Sequence, residues 1–127
     1  MTTTIRPATV CGYSRRQRLD VVVNLLTNLA YHKREMNIFG GKQLRPNIHI
    51  KDMIKSYLIL LKAPTKLIDG EIFNVGYKND TVLSLAKKVR KIIGKDVKLV
   101  KVPSNDNRSY HISSRKISKK LGFVPNN

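Results

Sequence analysis

Apolar and polar positions divide this chain into segments of two different periods. Residues 2–10, TTTIRPATV, are β-branched and apolar up to Gly12, which predicts a buried strand. Pro7 lacks an N–H for a ladder, so the strand is expected to end or loosen there, near a ligand. A polar loop, CGYSRRQR, follows. Leu19, Val22, Val23, Leu26, Leu29 and Ala30 then recur at helical spacing, with Asp20 in the first turn and Lys33 and Arg34 in the last. Residues 37–61, NIFGGKQLRPNIHIKDMIKSYLILL, read as a strand, a Gly40-Gly41 turn, a second strand and an apolar helix. Asp52 is the expected N-cap of that helix, with Met53, Ile54, Tyr57, Leu58 and Leu61 inward. EIFNVGY is a further short strand. Asn79, Asp80 and Thr81 offer caps to a helix with Val82, Leu85, Ala86, Val89, Ile92 and Ile93 inward, closed by Gly94 in the left-handed position. VKLVKV (97–102) alternates as a half-exposed strand. Ser113 or Ser114 is expected to cap a last short helix with Ile117 and Leu121 inward, stopped by Gly122. Strands alternating with helices make the class α/β.

Composition narrows the setting. A chain of 127 residues, 41% hydrophobic and 26% charged, can bury one domain's core and is not of a disordered type. No run approaches the roughly 18 apolar residues of a membrane span. No secretory leader is visible at the N-terminus. Cys11 is the single cysteine, which excludes an internal disulfide and any cysteine cluster, so a reducing, cytoplasmic setting is expected. Twenty-five Lys and Arg against 8 Asp and Glu give a net charge of +17, a balance that points toward anionic partners. The basic residues are nevertheless spread along the chain and not interleaved with aromatics, which argues against nucleic acid.

The chemistry legible in the residues is anion binding without catalysis. Arg45 carries a planar fork of donors suited to phosphate or carboxylate, although a solvated hairpin arginine reads the same way. No G-x-x-G-x-x-G follows a strand, and no G-x-x-x-x-G-K-[ST] occurs. No tyrosine is followed four residues later by lysine in a setting for an acid–base pair. His32, His49 and His111 are far apart and lack ligand spacing, so no metal site is expected. Asp52 reads as a structural cap, and His49 as a strand residue that packs or caps.

Taken together, RPATVCGYS, FGGKQLRPNIHIKDM, EIFNVG and DNRSYHIS followed by K-x-L-G-F occur in the order and near the spacing of the C-terminal half of extended short-chain dehydrogenases. The chain resembles the NAD-dependent epimerase/dehydratase family acting on nucleotide sugars, from Ile5 to Val124. The resemblance implies a single partial domain, with residues 1–12 as a late Rossmann strand and 13–127 as a nucleotide-sugar-binding α/β region. The glycine-rich turn and the Tyr-x-x-x-Lys pair of the family belong to an N-terminal Rossmann half that this sequence does not contain.

Residue by residue, the resemblance implies that Pro7 and Ala8 approach the nicotinamide ribose of NAD(H) and that Thr9 lies near the sugar. Arg18 and Asp20 would stand at the mouth of the sugar pocket. Asn24 either faces the substrate or is a satisfied polar position on an apolar helix. Arg45 and Arg108 would grip the nucleotide diphosphate from two sides. The expected partners are a nucleotide diphosphate sugar and the missing Rossmann half. The chain alone is expected to bind no NAD(H) and to self-associate through uncovered apolar edges. Two alternatives stand beside this reading: a stand-alone binding module for a nucleotide sugar or other phosphorylated ligand, and a basic nucleic-acid-binding protein.

Overall fold

The computed structural model describes residues 2–105 and 108–127, so Asp106 and Asn107 of the DNRSYHIS motif lie outside it. In chain order its elements are β1 (Thr4–Pro7), β2 (Thr9–Cys11), α1 (Val22–Lys33), β3 (Glu35–Phe39), β4 (Leu44–His49), α2 (Ile50–Lys62), α3 (Thr65–Ile68), β5 (Ile72–Val75), β6 (Lys78–Thr81), α4 (Val82–Ile93), β7 (Lys98–Val102) and α5 (Arg115–Leu121). The class is α/β. The chain divides into two discontinuous units, Met1–Cys11 with Pro46–Lys78 and Ile112–Asn127, and Gly12–Arg45 with Asn79–His111.

In the first unit, β1 pairs parallel with β5, from Thr4 opposite Ile72 to Pro7 opposite Val75. The opening strand ends at Pro7, as expected from its missing N–H, and beyond Ala8 the short β2 pairs with β4, Thr9 opposite Asn47 and Cys11 opposite His49. Pro7 fits because of strand parity. Thr4 N–H donates to Glu71 O at 2.9 Å and Ala8 N–H to Val75 O at 2.7 Å, so the donors of every second residue face β5. Pro7 falls on the opposite parity, where its missing N–H takes nothing from this ladder. Phe73, Val75, Ile117 and Phe123, all fully buried, pack with Ile48, Met53, Leu60 and Ile68 as the core. Each large apolar side chain so buried contributes roughly 1.5–3 kcal/mol.

Helix α2 departs from the sequence pattern in its cap and in its face. It starts at Ile50, and His49 is the cap, its Nδ1 accepting from Lys51 N–H at 3.3 Å. Asp52 lies inside the first turn, fully buried, and accepts from Asn126 N–H (3.2 Å), Asn127 N–H (2.8 Å) and Asn127 Nδ2 (2.8 Å). The buried face is Asp52, Met53, Ser56 and Leu60, while Ile54, Tyr57, Leu58 and Leu61 lie exposed. The helix is apolar on two faces, so spacing alone could not choose between them. Asp52 and Ser56 can be buried because hydrogen bonds satisfy both; the Ser56 hydroxyl donates to Met53 O at 2.7 Å. Ser114 starts α5 without a side-chain cap bond. Its Oγ instead accepts from Gly76 N–H and donates to Gly76 O, both at 2.7 Å, tying α5 to the end of β5.

In the second unit, β3 and β7 pair parallel from Glu35–Lys98 to Phe39–Val102, and α1 and α4 pack with them. Ala30, Met36, Ile38, Ala86 and Val97 are fully buried there. The strand–turn–strand expected around Gly40-Gly41 is no hairpin, since β3 and β4 pair with different strands, β7 and β2. Asp20 lies outside α1, which begins at Val22, and Arg34 ends that helix in the left-handed region at φ 53°. The Arg34 guanidinium makes two bonds to Asp96, 2.8 and 2.5 Å, and holds its carboxyl below the usual range. Thr81 caps α4, accepting from Ser84 N–H at 3.1 Å. Gly94 closes α4 at φ 153°, ψ 145°, an extended conformation at positive φ rather than the left-handed helical one expected. Ile92, expected inward, is 82% exposed because the four-residue stripe Val82, Leu85, Ala86, Val89 already fills the interface.

Candidate functional site

The turn after β3 is built for rigidity. Gly40 and Gly41 adopt φ 70° and 101°, which only glycine reaches without strain. Gly40 N–H donates to Val102 O at 3.0 Å, Leu83 N–H to Gly41 O at 3.0 Å and Val82 N–H to Gln43 O at 3.2 Å. The Gln43 amide is spent inside the turn, accepting from Gly41 N–H at 2.6 Å and donating to Phe39 O at 2.7 Å. Beside this turn lies a cleft of about 320 Å³ lined by Gly40, Lys42, Gln43 and Ser109.

Arg45, two residues beyond, is half-buried at the start of β4. Its Nη1 donates to Arg108 O at 2.5 Å and to Leu44 O at 3.0 Å, and its guanidinium carbon lies 5.6 Å from the centre of the Tyr110 ring. Leu44 N–H donates to Ser109 Oγ at 2.9 Å. Residues 108–110 are thus strapped to the head of β4 by two hydrogen bonds, each between a side chain and a backbone group, and by a cation–ring contact. A guanidinium held in a fixed plane presents a planar, always-charged group of the kind that suits phosphate or carboxylate. The structure brings the predicted pair together, but through the Arg108 carbonyl rather than its side chain.

The other predicted residues of this unit surround the polar loop. Arg18 pairs with Asp20 in two bonds, Nε to Oδ1 at 3.0 Å and Nη2 to Oδ2 at 2.6 Å, with both side chains exposed. The bonds from Arg18 hold the Asp20 carboxyl below its ordinary value. Asn24 is buried and uses its amide on the loop: Oδ1 accepts from Gly12 N–H at 3.3 Å, and Nδ2 donates to Arg18 O at 2.8 Å. Its place is at the base of the loop that carries the ion pair.

Pro7, Ala8 and Thr9 belong to the first unit, where the chain passes from β1 to β2. Pro7 is exposed, Ala8 is buried and Thr9 is half-buried. Gly76, at the end of β5, leaves no room beside Ala8: an added Cβ would stand 2.5 Å from Ile112 Cγ2 and 3.2 Å from Ala8 Cβ. Cys11 is half-buried, its Sγ 3.5 Å from Ile48 O, and burial raises its thiol pKa. Among the described residues no group of three His, Cys, Asp or Glu could hold a metal ion. No helix among them is long and apolar enough to cross a membrane.

Sequence reasoning missed Lys42, Ser109 and Tyr110. Tyr110 had a usable signal, an aromatic two residues after an arginine in a polar connection. Lys42 and Ser109 had none, because only the fold brings residues 42 and 109 to one cleft.

The model of the family described as NAD dependent epimerase/dehydratase matches residues 1–76, more than half of the chain. The UDP-glucose 4-epimerase of Thermotoga maritima, solved with UDP-glucose, matches with a TM-score of 0.79 at 29% identity, over 95% of this chain and 40% of that one. The UDP-glucuronic acid 4-epimerase of Bacillus cereus, solved with UDP-glucuronic acid and NAD, gives 0.78 at 26%, over 97% and 40%. In fold alone, the dTDP-glucose 4,6-dehydratase of Streptomyces venezuelae gives 0.76 at 19%, over 97% and 38%. This chain therefore spans about two fifths of the length of these enzymes. On the matched residues and the matched α/β architecture together, the chain belongs to the NAD-dependent epimerase/dehydratase family of extended short-chain dehydrogenases.

Proposed function

We propose that this chain is the substrate-binding part of an NAD-dependent nucleotide-sugar epimerase or dehydratase. The observation that carries the reading is Arg45, whose guanidinium is oriented by Arg108 O, Leu44 O and the Tyr110 ring. In this reading Arg45 grips the nucleotide diphosphate in a charge-assisted bond, with the Arg108 side chain as a second cation from residues 108–110. Arg18 and Asp20 border the sugar, and Asn24 fixes their loop. Such a hold raises the effective concentration of the sugar carbon at the reacting centre.

Hydride exchange in this family is the work of NAD. The residues present do not make a dinucleotide site. No glycine-rich turn leads from a strand into a helix, and Pro7 offers no N–H at the end of β1. At most, Pro7 and Ala8 line one side of a nicotinamide held by another polypeptide segment, and we derive no step through the cofactor.

Two features of the first unit support a cofactor-binding half as partner. The β1–β5 sheet has two parallel strands among the described residues, whereas parallel sheets are ordinarily covered and wider. Helix α2 also exposes Ile54, Tyr57, Leu58 and Leu61 as one stripe, at 49–82%. The test is calorimetry with a panel of nucleotide diphosphate sugars, on this chain and on a chain joined to a cofactor-binding half. Binding that strengthens, with turnover appearing only in the joined form, supports the reading. Tight binding by the short chain with no gain on joining favours the stand-alone module.

A further inference from the structure

The cleft beside the Gly40-Gly41 turn has an unusual set of available groups. Gln43 contributes nothing to a ligand, because its amide oxygen and nitrogen both bond within the turn. Ser109 Oγ accepts from Leu44 N–H, which leaves its hydroxyl hydrogen uncommitted among the described residues. Lys42 is exposed at the cleft wall, and among the described residues neither its ammonium nor its backbone N–H has a partner. The side-chain groups left at the wall are therefore donors, one of them charged, and no carboxylate among the described residues lines the cleft. Among these side chains, a neutral, donor-rich ligand group would find only the remaining lone pair of Ser109 Oγ to accept its hydrogens. An oxyanion would find the Lys42 ammonium and the Ser109 hydroxyl beside a turn already fixed by five hydrogen bonds.

We propose that Lys42 and Ser109 form an oxyanion subsite that takes a phosphate group of the ligand held by Arg45. This rests on the reading of Arg45 as the diphosphate grip and adds a third cation to it. Part of the Arg45 fork is spent on Arg108 O and Leu44 O, so a dianionic diphosphate gains from charge beyond that of Arg45 and Arg108. Lys42 supplies it from the turn. A compact, strongly hydrated ammonium on a flexible stem suits one phosphate oxygen rather than a planar bidentate contact.

The test is calorimetry with UDP, inorganic pyrophosphate and uridine on the full chain and on Lys42→Gln, Lys42→Arg, Ser109→Ala and Arg45→Ala. Lys42→Gln is expected to weaken UDP and pyrophosphate roughly three- to fivefold, the scale of an exposed ion pair. Lys42→Arg should restore most of that loss, Ser109→Ala should give a smaller one, and uridine should be indifferent to Lys42. Equal UDP affinity in Lys42→Gln and the parent overturns the subsite. If Arg45→Ala then loses UDP, the diphosphate grip survives alone; if Arg45→Ala is silent while Lys42→Gln weakens UDP, the subsite survives and the grip falls. A parent chain that binds neither UDP nor pyrophosphate at millimolar concentration overturns both.

Discussion

Replacing Arg45 by lysine should loosen residues 108–110 before it changes anything else. In the parent, Nη1 bonds Arg108 O at 2.5 Å and Leu44 O at 3.0 Å, and the guanidinium lies 5.6 Å from the Tyr110 ring centre. A lysine keeps the charge but loses the fork, so it can hold one carbonyl well and cannot lie flat over the ring. A hydrogen bond to a charged group is worth about 1.5–3 kcal/mol, less at a half-exposed site, and the cation–ring contact about 0.5–1 kcal/mol. Retaining one bond, the variant should lose about 1–2 kcal/mol of local stability, or roughly five- to thirtyfold in the opening equilibrium. Amide hydrogen exchange reads this directly, because the Leu44 N–H is protected by Ser109 Oγ in the same strap. Leu44 should exchange faster by that factor in Arg45→Lys, while the amide of Ala86, buried in α4, should not change. Equal protection of Leu44 in parent and variant would refute the claim that Arg45 orders the strap.

Other outcomes follow from particular contacts. Gly76→Ala should cost about 1–3 kcal/mol in denaturant unfolding, since the new methyl meets Ile112 Cγ2 at 2.5 Å; no change would mean that Ile112 moves freely. Phe73→Ala should cost about 3–5 kcal/mol by the same assay, the ring being fully buried, and a loss below 1 kcal/mol would count against this core. Hydrogen bonds from Lys116 and then Lys120 lower the Glu71 carboxyl from 4.5 to about 2. With the folded value depressed, its contribution is complete above about pH 4.5 and disappears as pH falls toward 2. Glu71→Gln should accordingly flatten the acid limb of the stability profile in that window, and an unchanged limb would remove the triad from the account. Leu58→Glu with Leu61→Lys should make the chain more monomeric in sedimentation, because both lie on the exposed α2 stripe; unchanged association would show that the stripe is not the adhesive surface.

The periodicity of α1 and α4 was legible because each helix has one apolar face, and the structure buries Leu26 and Ala30 on one and Leu85 and Val89 on the other. It failed at α2, where two apolar faces compete and the buried one carries Asp52 and Ser56. Those two look polar in sequence and become acceptable only through Asn126, Asn127 and Met53 O. The hairpin expected at Gly40-Gly41 failed because pairing partners 60 residues apart leave no local trace: β3 finds β7. At the candidate site, Arg45 was legible as an anion-binding candidate through its chemistry and the family resemblance together, since a solvated arginine reads the same way. The role of the Arg108 carbonyl was not, since any residue supplies a carbonyl there.

The most direct test of the central claim is calorimetric titration of UDP-glucose into the parent chain and into Arg45→Ala. The account predicts weak, saturable binding by the parent and none by the variant. Equal affinity in the two, or no binding by the parent at any concentration, would contradict it.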